Sequence, residues 1–213
     1  MKAKHLKQYY PLFSLLAVDT TLIILDIVNF YHPFKESKLF QIETNDSYAE
    51  DFQHLKWIII IISLLTLALL RSNWRYLSWV LVFAFLFLED VFRIHVILTD
   101  IFYHGLGLDG GQRLEKITEI GTALFLGFIF LSPVLIAYQK GNALFRKHSK
   151  AIFILLLLFL FCAIFLDQIH RLSFIGRNWK YNVFIGILED GGELITESLL
   201  TGYIIYIALK AHE

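Results

Sequence analysis

The chain has 213 residues, of which 57% are hydrophobic and 16% are aromatic. This composition predicts an integral membrane protein, because a soluble domain of this length cannot bury so much apolar surface. The 19 basic and 19 acidic residues balance to a formal net charge of zero, which argues against a nucleic-acid partner. The single cysteine, Cys162, excludes an intrachain disulfide and a metal cage built from cysteines.

Six apolar segments are long enough to cross the hydrocarbon core of a bilayer, which takes about 20 helical residues. The sequence therefore predicts one transmembrane domain over residues 1–213, an all-α polytopic helical bundle with six transmembrane helices. The predicted spans are Tyr10–His32, His54–Arg71, Tyr76–Leu98, Leu114–Tyr138, Lys150–His170 and Val183–Leu209.

The basic N-terminus and the apolar segment after it are interpreted as an uncleaved first span, since no A-x-A cleavage site follows. Lys and Arg residues near span ends favour the cytoplasmic side. With the N-terminus inside, ten such residues lie on the inner side and eight on the outer side, where Lys56 is counted. Both termini are therefore predicted to be cytoplasmic. The overall pattern is typical of small bacterial multi-pass proteins, so the expected location is the bacterial inner (cell) membrane.

The last predicted span carries four acidic residues within about 100° of the helix circumference. A charged residue at the centre of a span costs about 2.5–3.5 kcal/mol on insertion scales. Such residues usually face the interior of a bundle and mark a functional site. The four acids are Glu189, Asp190, Glu193 and Glu197.

Polar side chains of other spans are predicted to lie at a similar depth in the membrane. Asp19 in the first span and Glu197 in the last lie near the middle of their segments. The first, third and sixth spans are therefore expected to line the interior, while the second and fifth face lipid over much of their surface. The other residues assigned to this layer are Asp26, Asn29, Glu89, Asp90, Arg93, His95, Glu119, Asp167 and His170.

One hypothesis for this layer is a metal site. Asp167 and His170 are three residues apart on one helix face, and this D-x-x-H resembles half of the E-x-x-H motif of carboxylate-bridged di-iron bundles. Those bundles use two such motifs, and this sequence has one. Oxygen and nitrogen ligands suit a divalent metal such as Zn, Mn or Fe. The candidate metal ligands are Asp167, His170, His95, Glu89, Asp90 and Glu189, with Glu193 and Asp190 as candidate catalytic carboxylates.

Three functions remain open at this stage. A metal-dependent membrane enzyme is favoured, with a carboxylate and histidine site near one membrane face. A proton- or cation-coupled transporter or channel is the alternative, because clustered acids titrate as a coupled group. The third function is that of a non-catalytic component of a larger assembly. In that case the acids are neutralised in a structural network by Arg93, Arg171, His95 and His170. The lipid bilayer is the expected partner, and an oligomer or a partner subunit is compatible with each function.

Overall fold

The predicted all-α fold is confirmed by a computed structural model of the chain. The structure describes residues 8–32, 37–42, 44, 46–105, 111–166, 169 and 179–212, and this part of the chain contains no strand. Its helices are α1 (Tyr10–Tyr31), α2 (Tyr48–Leu70), α3 (Leu77–Phe92), α4 (Ile94–Gly105), α5 (Gly111–Gln139), α6 (Ala143–Leu160) and α7 (Trp179–His212).

The third predicted span, Tyr76–Leu98, is not one helix, and the predicted count of six spans is wrong in this respect. α3 ends at Phe92, and Arg93 adopts a left-handed conformation (φ 48°, ψ 49°) before α4 begins at Ile94. The 16 residues of α3 span about 24 Å, less than a hydrocarbon core of about 30 Å. In the described residues, five helices are long and apolar enough to cross a membrane: Tyr10–Tyr31, Tyr48–Leu70, Ile117–Gln139, Ala143–Leu166 and Phe184–Ala211.

The surfaces of these helices identify the protein as an integral membrane protein. Phe128 on α5 is 74% exposed, and many other large apolar side chains of the spans are also exposed. Water would disfavour such a surface, whereas lipid solvates it. The last span is the most enclosed, with 56% of its apolar window buried, as expected for the helix with the acidic stripe. The first span is only 11% buried, so it faces the interior through a narrow stripe that contains Leu15, Asp19 and Asn29.

The chain divides into two compact units, and the boundaries between them fall at residues of α2 and α6. The first unit comprises residues 1–63 and 147–213, and the second comprises Leu64–Arg146. In the first unit α1 packs along α7, and α7 also packs against Phe161–Leu166, a short π-helix that continues α6. This unit therefore brings together two of the five long apolar helices and most of two others.

Glycines of α7 allow neighbouring segments of the first unit to approach closely. A Cβ atom at Gly202 would lie 2.7 Å from Leu12 Cδ1 on α1, and one at Gly192 would lie 2.9 Å from Cys162 Sγ. Small residues at helix contacts are a common means of close packing in membranes. This closeness matters for the site described below, because a short Asp side chain on α1 must reach the interior of the unit.

In the second unit, the broken segment α3–α4 lies against α5. The rings of Phe85 on α3 and Phe130 on α5 stack with centroids 3.8 Å apart. Further along, His95 on α4 lies next to Glu119, near the start of α5. From the first contact to the second, residue numbers rise along α3 and α4 and fall along α5. The helices α3 and α4 therefore run antiparallel to α5.

The packing at Gly202 gives a first prediction. Gly202→Ala should destabilise the protein by about 1–3 kcal/mol, because the added methyl group overlaps Leu12 and forces α1 away from α7. Gly127→Ala is the matched control, since a Cβ there meets nothing within 4 Å. Thermal unfolding of the purified protein in detergent measures both. Equal melting temperatures for the two variants would contradict the close α1–α7 contact.

Candidate functional site

Lys56 lies at the centre of the most enclosed polar cluster that the structure describes. Its side chain is 0% exposed, so its assignment from sequence to an outer span end is wrong. The reason lies at the start of α2, where Ser47 and Glu50 form an S-x-x-E capping box. Ser47 Oγ accepts a hydrogen bond from Glu50 N, and a Glu50 carboxylate oxygen accepts one from Asp46 N. The helix therefore begins at Tyr48, six residues before the predicted span, and Lys56 lies about 12 Å inside it.

The Lys56 ammonium group contacts three oxygens from two other helices. Its Nζ lies 3.3 Å from Asp19 Oδ1 on α1 and 3.0 Å from Glu197 Oε2 on α7. It also donates a hydrogen bond to the Leu194 carbonyl oxygen at 3.0 Å. The contacts with Asp19 and Leu194 are hydrogen bonds donated by the ammonium group, and the contact with Glu197 is an ion pair. We call Asp19, Lys56 and Glu197 the charge cluster.

The walls of the charge cluster exclude solvent. Asp19 and Glu197 are both 0% exposed, and the Phe52 ring, one turn before Lys56 on α2, lies 5.0 Å from the ammonium nitrogen. A cation over an aromatic face is stabilised by the ring quadrupole, more strongly when it is desolvated. Ser198 is also fully buried, and its side chain lies beside the Asp19 carboxyl group. The cluster is therefore a closed polar island within apolar spans.

Burial makes the cluster sensitive to the charge of each member. Two carboxylates and one ammonium carry a formal charge of −1 when all three are ionised. Removing one partner of a buried ion pair is strongly destabilising, because the other charge loses both water and its counter-charge. A charged pair buried in a membrane interior is also rare and usually functional. The cluster can thus act as a structural lock or as a site where a change of charge alters helix contacts.

The acidic stripe of α7 is only partly represented in the charge cluster. Glu197 is fully buried, whereas Glu189, Asp190 and Glu193 are half-buried. Glu193, which was predicted to be the central carboxylate, lies near Cys162 of the π-helix. Its assignment as a catalytic carboxylate, together with Asp190, stays a prediction.

A second polar cluster lies in the other unit, where α4 begins after the break at Arg93. His95 Nδ1 pairs with Glu89 at the end of α3, and His95 Nε2 lies 3.6 Å from Glu119 Oε1 on α5. Glu89 and His95 are thus in contact, while Asp90 lies on an exposed face of α3. Both imidazole nitrogens face carboxylates, which suits a hydrogen-bonded imidazole.

The metal hypothesis gains no support from the described residues. Among them, no group of three or more His, Cys, Asp or Glu side chains is placed to hold a metal ion. Asp167 and His170, the two residues of the D-x-x-H motif, lie outside the described residues. The proposed convergence of Glu89 and His95 with the acids of α7 joins residues of separate units, and it stays a prediction.

Comparisons with known proteins identify no relative. No family model, no curated protein and no solved structure matches this chain. Function must therefore be argued from the clusters themselves.

The sequence contains a signal that Lys56 is buried, although the count of basic residues near span ends places Lys56 at the membrane surface. Asp19 and Glu197 were placed near the middle of their spans, where two buried acids require a nearby cation. The cations predicted to neutralise the acids are Arg93, Arg171, His95 and His170. Lys56, one residue before an uninterrupted apolar run, was assigned to the membrane surface because Lys residues often flank spans. The capping box of Ser47 and Glu50 is the sequence signal that places Lys56 inside the helix.

The energetics of the charge cluster can be tested directly. Lys56→Met should destabilise the protein by about 3–5 kcal/mol, because two carboxylates then remain buried without the ammonium group. Adding Asp19→Asn and Glu197→Gln to this variant should restore much of that loss. Lys150→Met, at an exposed position, should leave stability unchanged. Chemical unfolding in detergent gives the comparison, and equal stability of the Lys56 and Lys150 variants would refute a buried ion pair.

Proposed function

We propose that this protein is a proton- or cation-coupled membrane transporter or channel whose coupling site is the charge cluster of Asp19, Lys56 and Glu197. The observation that carries the proposal is a fully buried lysine paired with two fully buried carboxylates from two other membrane helices. Intramembrane ionisable residues in such arrangements are typical of ion and proton pathways.

The first argument is the imbalance of charge. The cluster has two carboxyl groups for one ammonium group, and binding of one further proton or monovalent cation makes the set formally neutral. In a low-dielectric interior, neutral states are favoured over charged ones. The cluster is thus suited to take up and release one positive charge.

The second argument is the way the cluster joins helices. Lys56 on α2 links Asp19 on α1 to Glu197 on α7, so protonation of either acid weakens one of two contacts between helices. A charge change is then coupled to helix packing, which is the requirement for a conformational switch driven by an ion. Among the described residues, no comparable observation supports a metal-dependent enzyme.

Flux measurements test this function. Purified protein in liposomes that contain a pH-sensitive dye should move protons when a potassium or sodium gradient is imposed. Asp19→Asn and Glu197→Gln should each lower the rate by about tenfold or more, because one protonatable group in a relay cannot be replaced by an amide. Asp51→Asn is the matched control, since Asp51 is an exposed carboxylate on the same helix as Lys56.

Two results would contradict the function. One is a proton flux through the wild-type protein no greater than that of empty liposomes under both gradients. The other is a flux that the Asp19 and Glu197 variants retain in full, which would give the cluster a structural role only.

The proposed topology places both termini in the cytoplasm of a bacterial cell. An even number of crossings is then required, so the broken segment α3–α4 must cross together with the five continuous helices. Its antiparallel course along α5 between Phe130 and Glu119 supports this. Burial of Lys56 also removes it from the outer basic residues, which leaves ten inner residues against seven outer ones.

Single cysteines on a Cys162→Ser background test the topology. Lys38→Cys should react with a membrane-impermeant thiol reagent added to intact cells, since it follows the first crossing. Lys140→Cys should react only after the cells are opened, because it follows four crossings. Both positions are exposed. Labelling of Lys140→Cys from outside would show that α3–α4 does not cross and that the termini lie on opposite sides.

A further inference from the structure

One end of the second unit presents basic side chains from segments that contain no acid. Arg75, Lys140 and Arg146 are exposed, and all three belong to this unit. The chain has no Asp or Glu from residue 52 to residue 88, and none from residue 120 to residue 166. The segments that carry these cations therefore supply no negative charge of their own to neutralise them.

Packing within the unit brings the three cations to the same end. Because α3 runs antiparallel to α5, the start of α3 lies at the end of α5. The rings of Tyr76 and Phe145, each next in sequence to one of the two arginines, meet edge to face with centroids 5.0 Å apart. The Arg146 guanidinium also reaches the carbonyl of Gln139, the residue before Lys140. We call Arg75, Lys140 and Arg146 the basic surface.

Hydrogen bonds to the backbone hold the basic surface in place. Arg146 Nε donates to the Tyr138 carbonyl oxygen at 3.1 Å, and Arg146 Nη2 donates to the Gln139 carbonyl oxygen at 2.8 Å. These two bonds fix the guanidinium group at the end of α5 and use two of its five N–H donors. A guanidinium group binds phosphate oxygens through paired N–H donors, so a group fixed in this way is suited to bind a phosphate.

The neighbour of Arg75 indicates the depth of the basic surface in the membrane. Trp74 is 66% exposed. Exposed Trp side chains of membrane proteins are enriched at the level of the lipid headgroups, where the ring contacts both apolar and polar groups. Arg75 follows Trp74 directly in sequence, so the basic surface lies at the depth of the phospholipid phosphates.

We propose that the basic surface binds the headgroup phosphate of an anionic phospholipid from the surrounding bilayer. Clusters of Lys and Arg at the membrane surface attract anionic lipids. A zwitterionic headgroup carries a cation of its own beside the phosphate, so it complements a surface of three cations less well. The inference does not depend on the transport function, because the charge cluster belongs to the other unit.

Native mass spectrometry of the purified full-length protein in detergent tests lipid binding. With equimolar phosphatidylglycerol and phosphatidylcholine, the wild type should retain phosphatidylglycerol in preference. Arg75→Gln combined with Lys140→Gln should lower the affinity for phosphatidylglycerol by about fivefold for each cation removed, or about 25-fold in total. Arg146 is kept in this variant because it also holds the end of α5.

The matched control removes the same charge from the first unit. Lys38→Gln combined with Lys210→Gln, at two exposed positions, should bind phosphatidylglycerol as the wild type does. An equal loss in this variant would show a general effect of net charge and overturn the site.

Three further outcomes would also overturn the inference. The first is equal retention of the two lipids by the wild type, and the second is an unchanged affinity in the Arg75 and Lys140 variant. The third is release of the lipid by an excess of inorganic phosphate, which would indicate a site for the unattached anion. If the variant does not fold, the comparison of the two lipids on the wild type decides. Absence of proton flux would overturn the transport function and leave this result unchanged.

Discussion

The ion pairs of Lys56 are the interaction on which the first unit depends. Three helices, α1, α2 and α7, meet at one ammonium group whose partners are Asp19 and Glu197. Lipid offers no hydrophobic driving force between helices, so packing and polar contacts must hold them together. Close packing and the buried charges are interdependent, because glycines of α7 bring α1 near enough for a short Asp side chain to reach Lys56.

The hydropathy of the sequence was sufficient to predict the fold class, because long apolar runs have one stable solution in a bilayer. It also placed Asp19 and Glu197 at a common depth. Hydropathy does not show that Lys56 is the partner of these two acids. Helical periodicity gives the angles between acids on one helix, but it does not tell which neighbouring helix faces each acid. For that reason the sequence predicts Glu193 as the central carboxylate, whereas Glu197 is the one that the structure pairs with Lys56.

The break at Arg93 shows a second limit of reasoning from hydropathy. No proline marks it, and the surrounding residues are apolar enough to predict a continuous span. The left-handed conformation of Arg93 costs about 1–2 kcal/mol for a residue with a Cβ, so the contacts around it must offset that amount. One such contact is visible, since the break brings His95 of α4 between Glu89 and Glu119. Glu89 precedes His95 by six residues, so in an uninterrupted helix the two side chains would point about 120° apart around the helix axis.

The distinction between a structural lock and a coupling site lies in whether the charge of the cluster changes during function. A lock needs as many positive as negative charges, and well-packed apolar residues would serve it as well or better. The cluster instead has one ammonium group for two fully buried carboxylates. This excess of negative charge adds cost without adding stability, and it is therefore better accounted for by a second positive charge that the cluster takes up and releases.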